Sequence, residues 1–218
     1  MIIAIEGVDG AGKYTLTRRL VARLTDAGHR VATLAYPRYT VAPLGPALRD
    51  LLAGDARLAA LAAAPRATAM MFALDRAASR PELDALTAAN DVVLLDRYVA
   101  SNAAYGAARL PLAERADFPA WVAELELGSL ALPAPDLQVL LQVPVARARA
   151  DAAARADGDP ARARDVFEVD DGLQARCARM YADLAARNWV CPWLVVNRES
   201  GVASIEEWLA ARAASRRR

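Results

Sequence analysis

At 218 residues, 56% of them hydrophobic and with a mean hydropathy of +0.13, the chain can bury one sizeable core without requiring two domains. Its 27 basic and 26 acidic residues nearly cancel, which removes any chain-wide electrostatic case for binding nucleic acid or an anionic membrane. No stretch approaches 18 uninterrupted apolar residues, and Cys177 and Cys191 lack the close paired spacing of a metal site, so both read as reduced core thiols.

The first segment, Ile2–Glu6, is a continuous aliphatic run and reads as a buried strand. With no basic leader or small-residue cleavage site before it, the expectation is a cytoplasmic protein. Gly7-Val8-Asp9-Gly10-Ala11-Gly12-Lys13 follows, and a helix is predicted near 13–27. Strand, glycine loop and helix in that order turn the G-x-x-x-x-G-K spacing into a phosphate-binding expectation. The glycines let successive N–H groups converge on an anion at the helix N-terminus, and a compact ammonium fits between β- and γ-phosphates where a planar guanidinium would be too broad. Lys13 is the one lysine in a chain that otherwise uses arginine. The residue after it, usually a Ser or Thr that touches Mg²⁺, is Tyr14, followed by Thr15; either Thr15 supplies a hydroxyl or the metal is held by other groups, Asp9 being nearest in sequence.

Val31–Ala35 reads as a second strand, followed by Tyr36-Pro37-Arg38-Tyr39, where Arg38 offers a forked cation to an oxyanion. Helices are predicted near 43–53, 65–79 and 81–89, with Pro81 starting the last, and the alanine run at 58–64 also favours helix. Phe72 and Arg76, four apart, share a face: a ring to stack on a base and a fork to bond its edge. The third strand, Asp91–Leu95, leads into Asp96-Arg97-Tyr98. A carboxylate followed by a guanidinium favours a second phosphate over an activated water, although Asp96 can still orient metal-bound water. On the next helix, near 98–108, Asn102 and Tyr105 converge.

Further helices are predicted near 117–131, 144–156, 168–187 and 202–214, with strands at Leu137–Val143 and Trp193–Val196. All five strands read as buried and parallel, with helices on both faces. Asp157-Gly158-Asp159-Pro160-Ala161-Arg162 reads as a loop, and Arg155, Arg162 and Arg164 around it could close over phosphates. Asp165 and Glu168 fit either helix capping or metal binding. His29 and the terminal run Arg216-Arg217-Arg218 read as solvated surface.

Taken together, these stretches resemble the thymidylate kinases, particularly their actinobacterial branch: Ile3 to Lys13, Pro37-Arg38-Tyr39, Phe72 to Arg76, Asp96 to Tyr105 and Ala163-Arg164-Asp165, in family order. The resemblance implies an α/β P-loop NTPase fold in a single kinase domain over 1–218, with an arginine-bearing lid near 147–165. It implies transfer of the γ-phosphoryl of ATP to dTMP with Mg²⁺, usually in a homodimer, with dTMP and ATP as partners and neither nucleic acid nor membrane. ATP would be held by Gly7, Val8, Asp9, Gly10, Ala11, Gly12, Lys13, Tyr14 and Thr15. Around dTMP, Phe72 would stack on thymine and Arg76 and Asn102 would bond its edge. Tyr105 would crowd a 2′-hydroxyl, Arg38, Tyr39 and Arg97 would hold the phosphate, and Asp9, Tyr36, Asp165 and Phe167 would line the site. Lys13, Arg97, Asp9, Arg155 and Arg162 would act in catalysis, and Asp9, Asp96 and Glu168 at the metal. The chain departs from the family pattern at Tyr14, Tyr36 and Phe167, and at Asp151 and Gly158, where the branch often has arginine.

Two other readings fit parts of the pattern. A deoxynucleoside kinase would need a carboxylate base, for which Glu6 is the candidate. A GTPase switch would need a guanine motif, and Asn197-Arg198-Glu199-Ser200 lacks its aspartate.

Overall fold

The computed structural model describes residues 1–158, 166–167 and 170–215, the side chains of 155–158 and 171 excepted. Five parallel strands, β1 (Ile2–Glu6), β2 (Val31–Ala35), β3 (Val92–Asp96), β4 (Leu137–Leu141) and β5 (Trp193–Val196), lie in the order β2-β3-β1-β4-β5. β1 therefore sits at the centre, and the chain leaves it for the β2 side first and the β4 side later. That reversal opens a crevice at the carboxyl ends of β1 and β3, where ligands bind in sheets of this kind.

Burial follows position in the sheet. β1 and β4 are buried throughout, and β3 nearly so, with Ile3, Val93 and Leu137 wholly inaccessible. The expectation of five buried strands is corrected for β2 and β5. They are edge strands with partly exposed residues, and Val195 is half exposed, because each pairs on one side only. β3 also runs one residue later than expected, which places Asp96 within it, opposite Ile5.

Ten α-helices are described among these residues. α1 (Lys13–Asp26) follows the glycine loop, and α2 (Leu44–Leu52) follows β2. A 3₁₀ turn (Ala56–Leu58) and α3 (Ala59–Ala63) take up the alanine run, and α4 (Pro65–Ala78) and α5 (Arg80–Ala89) come before β3, with Pro81 in the first turn of α5 as expected. The helix expected at 117–131 is instead α7 (Phe118–Ala123) followed by a π-helical turn (Glu124–Ser129). α8 (Val145–Gly158), α9 (Asp171–Ala186) and α10 (Gly201–Ser215) complete the chain, and the Asp170 side chain caps α9 by accepting from Leu173 N–H at 2.9 Å.

α6 (Val99–Arg109) carries much of the site and is buried along nearly its whole length. Its face is built from Ala100, Ala103, Ala104 and Ala107, small enough for α9 and α7 to approach closely. Gly106 shows how close: a Cβ there would sit 2.2 Å from the Phe118 ring.

Cys177 is a free, buried thiol as expected, whereas Cys191 is only partly buried and so is not a core residue. His29 is exposed. Arg162, Arg164, Asp165, Glu168 and Arg216 to Arg218 lie outside the described residues, as does the side chain of Arg155 on α8.

Candidate active site

The glycine loop joins β1 to α1 where the sequence places it. Gly10 has φ +75°, a left-handed conformation, and a Cβ on it would lie 1.9 Å from the Ala148 carbonyl oxygen of α8. Only glycine lets the loop pass α8 at this distance. The Lys13 ammonium is buried and donates to the Gly7 and Val8 carbonyls at 3.2 and 3.0 Å. Burial, joined by the positive charge of Arg97, lowers its pKa to about 8, against the pull of Asp9, Asp96 and Glu6. Tyr14 points outward, 60% exposed, with the Arg18 guanidinium 5.8 Å from its ring centre, and Thr15 is exposed beside it.

Arg198, beyond β5, holds the loop from outside. Its Nε donates to the Ala11 carbonyl and its Nη2 to the Gly10 carbonyl, both at 2.7 Å, while Nη1 pairs with Asp151 of α8 at 2.5 Å. Asn197 beside it accepts from the Glu199 and Ser200 N–H groups at 3.0 and 2.8 Å. Asn197-Arg198-Glu199-Ser200 thus serves as a turn and a brace for the loop and not as a guanine motif.

Arg97 stands at the tip of β3 with φ +65°, uncommon for a residue with a Cβ. Fully buried Glu6 fixes the turn after it, accepting from Tyr98 N–H at 2.8 Å, Ser101 Oγ at 2.6 Å and the Tyr181 hydroxyl at 3.0 Å. Burial pushes the Glu6 pKa up despite these donors and Arg97. The Arg97 guanidinium donates to the Gly7 carbonyl and to Ser101, both at 3.3 Å, and pairs with Asp9. Asp9 also accepts from the Tyr105 hydroxyl at 2.5 Å and from Gln174 Nε2 at 3.2 Å, so both its oxygens are engaged. Burial alone would raise the Asp9 pKa; the charges of Arg97 and Lys13 and the two side-chain donors lower it to about 2.

Arg97, Asp9 and Tyr105 form one wall of an open cavity that also meets Tyr36, Tyr39, Phe72, Arg76, Asn102 and Phe167. At its far end Arg76 and Asn102 are buried and both reach Glu126 in the π turn. The Tyr36 hydroxyl lies 2.6 Å from Ser79 Oγ, and the Arg109 guanidinium covers the Phe167 ring at 4.5 Å. Arg38 is held aside: its N–H and Nε bond Asp75 at 3.0 and 3.2 Å, Nη2 bonds the Asp75 carbonyl at 2.9 Å, and Nη1 reaches Glu82 at 3.4 Å. Arg38 does not line the cavity in this conformation.

Nearly all the described residues expected around dTMP thus converge, with Arg38 the exception. Glu126, Gln174, Asp75 and Arg198 support them without having been singled out from the sequence. Asp75 did carry a signal, lying between Phe72 and Arg76 in a matched stretch, and its burial shows it to be the anchor of Arg38.

The buried oxygen Asp96 Oδ1 has no hydrogen-bond partner among the described residues, although Asp96 stands at the carboxyl end of β3 next to the glycine loop and its charge acts on Lys13. An unsatisfied carboxylate oxygen there fits a hydrated Mg²⁺, which keeps several waters and takes few protein ligands. No group of three or more His, Cys, Asp or Glu side chains able to hold a metal ion is present among the described residues, so such an ion would rely on nucleotide phosphates for much of its shell.

The family model for thymidylate kinase matches residues 5–201. Thymidylate kinases of two Mycobacterium tuberculosis strains are each 47% identical over 199 residues, covering 91% of this chain and 92% of their own. That of Xanthomonas oryzae pv. oryzae is 40% identical over 189 residues, covering 84% of this chain and 71% of its own. The fold matches the solved thymidylate kinase of Candida albicans with a TM-score of 0.73 and 17% identity, covering 97% of this chain and 92% of that one. By the extent of the family match, and by its identity to the mycobacterial proteins over nine-tenths of the chain, this protein belongs to the thymidylate kinase family.

Proposed function

We propose that this protein transfers the γ-phosphoryl group of ATP to dTMP, giving ADP and dTDP, and so feeds dTTP synthesis. The observation that carries the reading is the position of Arg97, which touches the Gly7 carbonyl of the phosphate loop on one side and faces the aromatic cavity on the other. One guanidinium there serves both nucleotides. ATP lies along Gly7 to Thr15 with Lys13 at its β- and γ-phosphates. dTMP enters the cavity with its base on Phe72 between Arg76 and Asn102, Tyr105 crowding a 2′-hydroxyl, and its phosphate toward Arg97 and Tyr39. Tyr36 and Phe167 close the sides.

An oxygen of the dTMP phosphate, already anionic near neutral pH, attacks the γ-phosphorus in line. The bond from that phosphorus to the β,γ-bridging oxygen breaks, and ADP leaves with the electron pair. No general base is required, so the protein contributes orientation and charge neutralisation. Asp9 keeps Arg97 and Tyr105 in place and stays ionised. Asp96, and Glu168 with it, would hold Mg²⁺ through water, and the ion when bound adds positive charge against the phosphates. Arg155 and Arg162 of the lid complete the neutralisation.

Glu6 as a base acting on a nucleoside hydroxyl finds no support: it is fully buried, bonded to Tyr98, Ser101 and Tyr181, and does not itself line the cavity. The proposal extends to one kinase domain over 1–218, a homodimer and a cytoplasmic location. No single helix among the described residues is long and apolar enough to cross a membrane. Lys13→Ala and Arg97→Ala should each lower kcat by about a hundredfold or more in a coupled ADP-release assay. Near-normal turnover in either variant removes that residue from its role.

A further inference from the structure

Glu126 is wholly buried in the π turn and does not line the cavity, yet it contacts both side chains at the cavity's base end. Its Oε2 accepts from Arg76 Nε at 2.5 Å, and its Oε1 accepts from Arg76 Nη2 and Asn102 Nδ2, both at 2.7 Å. Asn102 Nδ2 spends its second proton on the Ala69 carbonyl at 2.9 Å. A carboxylate and a carbonyl can only accept, so the amide nitrogen must face them and Asn102 Oδ1 must face the cavity. The same carboxylate takes two of the three guanidinium nitrogens of Arg76, leaving Nη1 as the donor without a protein acceptor among the described residues.

The cavity therefore offers a donor beside an acceptor, in a fixed order. A pyrimidine-2,4-dione presents the complement, an acceptor at O4 next to a donor at N3. A 4-aminopyrimidine presents the reverse at both positions. We propose that Glu126 is a positioning residue that sets base specificity, holding the Arg76 guanidinium, always a donor, in place and fixing the amide orientation of Asn102, so that thymine is accepted and cytosine bases are refused. The proposal rests on the reading of this cavity as the dTMP site. A carboxylate is the group for this task because it accepts from both partners at once, whereas an amide at the same place would turn one donor toward Arg76 or Asn102.

The test compares dTMP with 5-methyl-dCMP, which keeps the methyl group, sugar and phosphate and reverses the edge polarity. The unaltered protein should favour dTMP in kcat/KM by about a hundredfold or more, as expected of a site with buried polar groups that the wrong base leaves unpaired. A preference under about threefold overturns the proposal, whether or not any variant folds. In Glu126→Gln the preference should fall by about tenfold, with the KM for dTMP raised and kcat within about threefold, while Glu126→Asp, still an acceptor only, should keep the original preference. Equal losses for both substrates in Glu126→Gln would reduce Glu126 to a core ion-pair partner and overturn the proposal. Asn102→Ala tests the base site and the role of Glu126 separately. An unchanged KM for dTMP there would move the base site elsewhere, whereas a raised KM together with an unaltered preference in Glu126→Gln would sink the Glu126 proposal alone.

Discussion

Replacing Asp9 by Asn removes the charge that holds Arg97 while keeping the side chain's size, and its effect on stability should depend on pH. The Asp9 pKa is about 2 in the folded protein against an ordinary 3.8, because the Arg97 and Lys13 charges and the Tyr105 and Gln174 donors outweigh burial. At about 1.36 kcal/mol per tenfold, the difference between 3.8 and about 2 corresponds to about 2 kcal/mol. The carboxylate is 16% exposed, so solvent screening leaves most of that interaction in place. Because the folded pKa is depressed, the stabilisation is fully present above 3.8 and is lost as pH falls toward 2. Urea unfolding of the original protein and Asp9→Asn should therefore differ by about 2 kcal/mol at pH 7 and by about half as much at pH 3. Equal stability at pH 7, or an offset that does not shrink at pH 3, would refute the electrostatic account of Asp9.

Two further outcomes follow from the phosphate loop. Lys13 titrates near pH 8 without nucleotide, and phosphates restore its charge, so ATP binding should take up roughly three-quarters of a proton at pH 8.5 and almost none at pH 7. Calorimetry in buffers of different ionisation enthalpy measures this, and uptake that does not grow with pH would contradict the position given to Lys13. Arg198→Ala should raise the KM for ATP by roughly tenfold, because two charge-assisted bonds to the Gly10 and Ala11 carbonyls are lost, while the KM for dTMP stays within about twofold. Equal rises for both substrates would show that Arg198 supports the fold rather than the loop.

The sequence made the loop and the tip of β3 legible because backbone geometry constrains residue type there. Gly10 cannot carry a side chain beside Ala148, and Asp96-Arg97 sits where a central strand ends. The pairing of Phe72 with Arg76 was legible from helical spacing. Glu126 was not, because a glutamate between Leu125 and Leu127 reads as a solvated position on an amphipathic helix. The π turn and the packing of α4 and α6 bury it instead. Arg198 and Gln174 act on residues more than 160 positions earlier, a separation that no local pattern records. Arg38 shows the converse: its place after β2 suggested an oxyanion partner, but Asp75 on α4 meets it first. The exposure of β2 and β5 depended on strand order, which their aliphatic composition does not encode.

The proposed acceptor is a nucleotide phosphate and not a sugar hydroxyl. Incubation with γ-labelled ATP and either dTMP or thymidine, with separation of the products, tests it most directly. Label should appear in dTDP, with a kcat/KM for dTMP far above that for thymidine. Faster turnover of thymidine, or label that never enters dTDP, would contradict it.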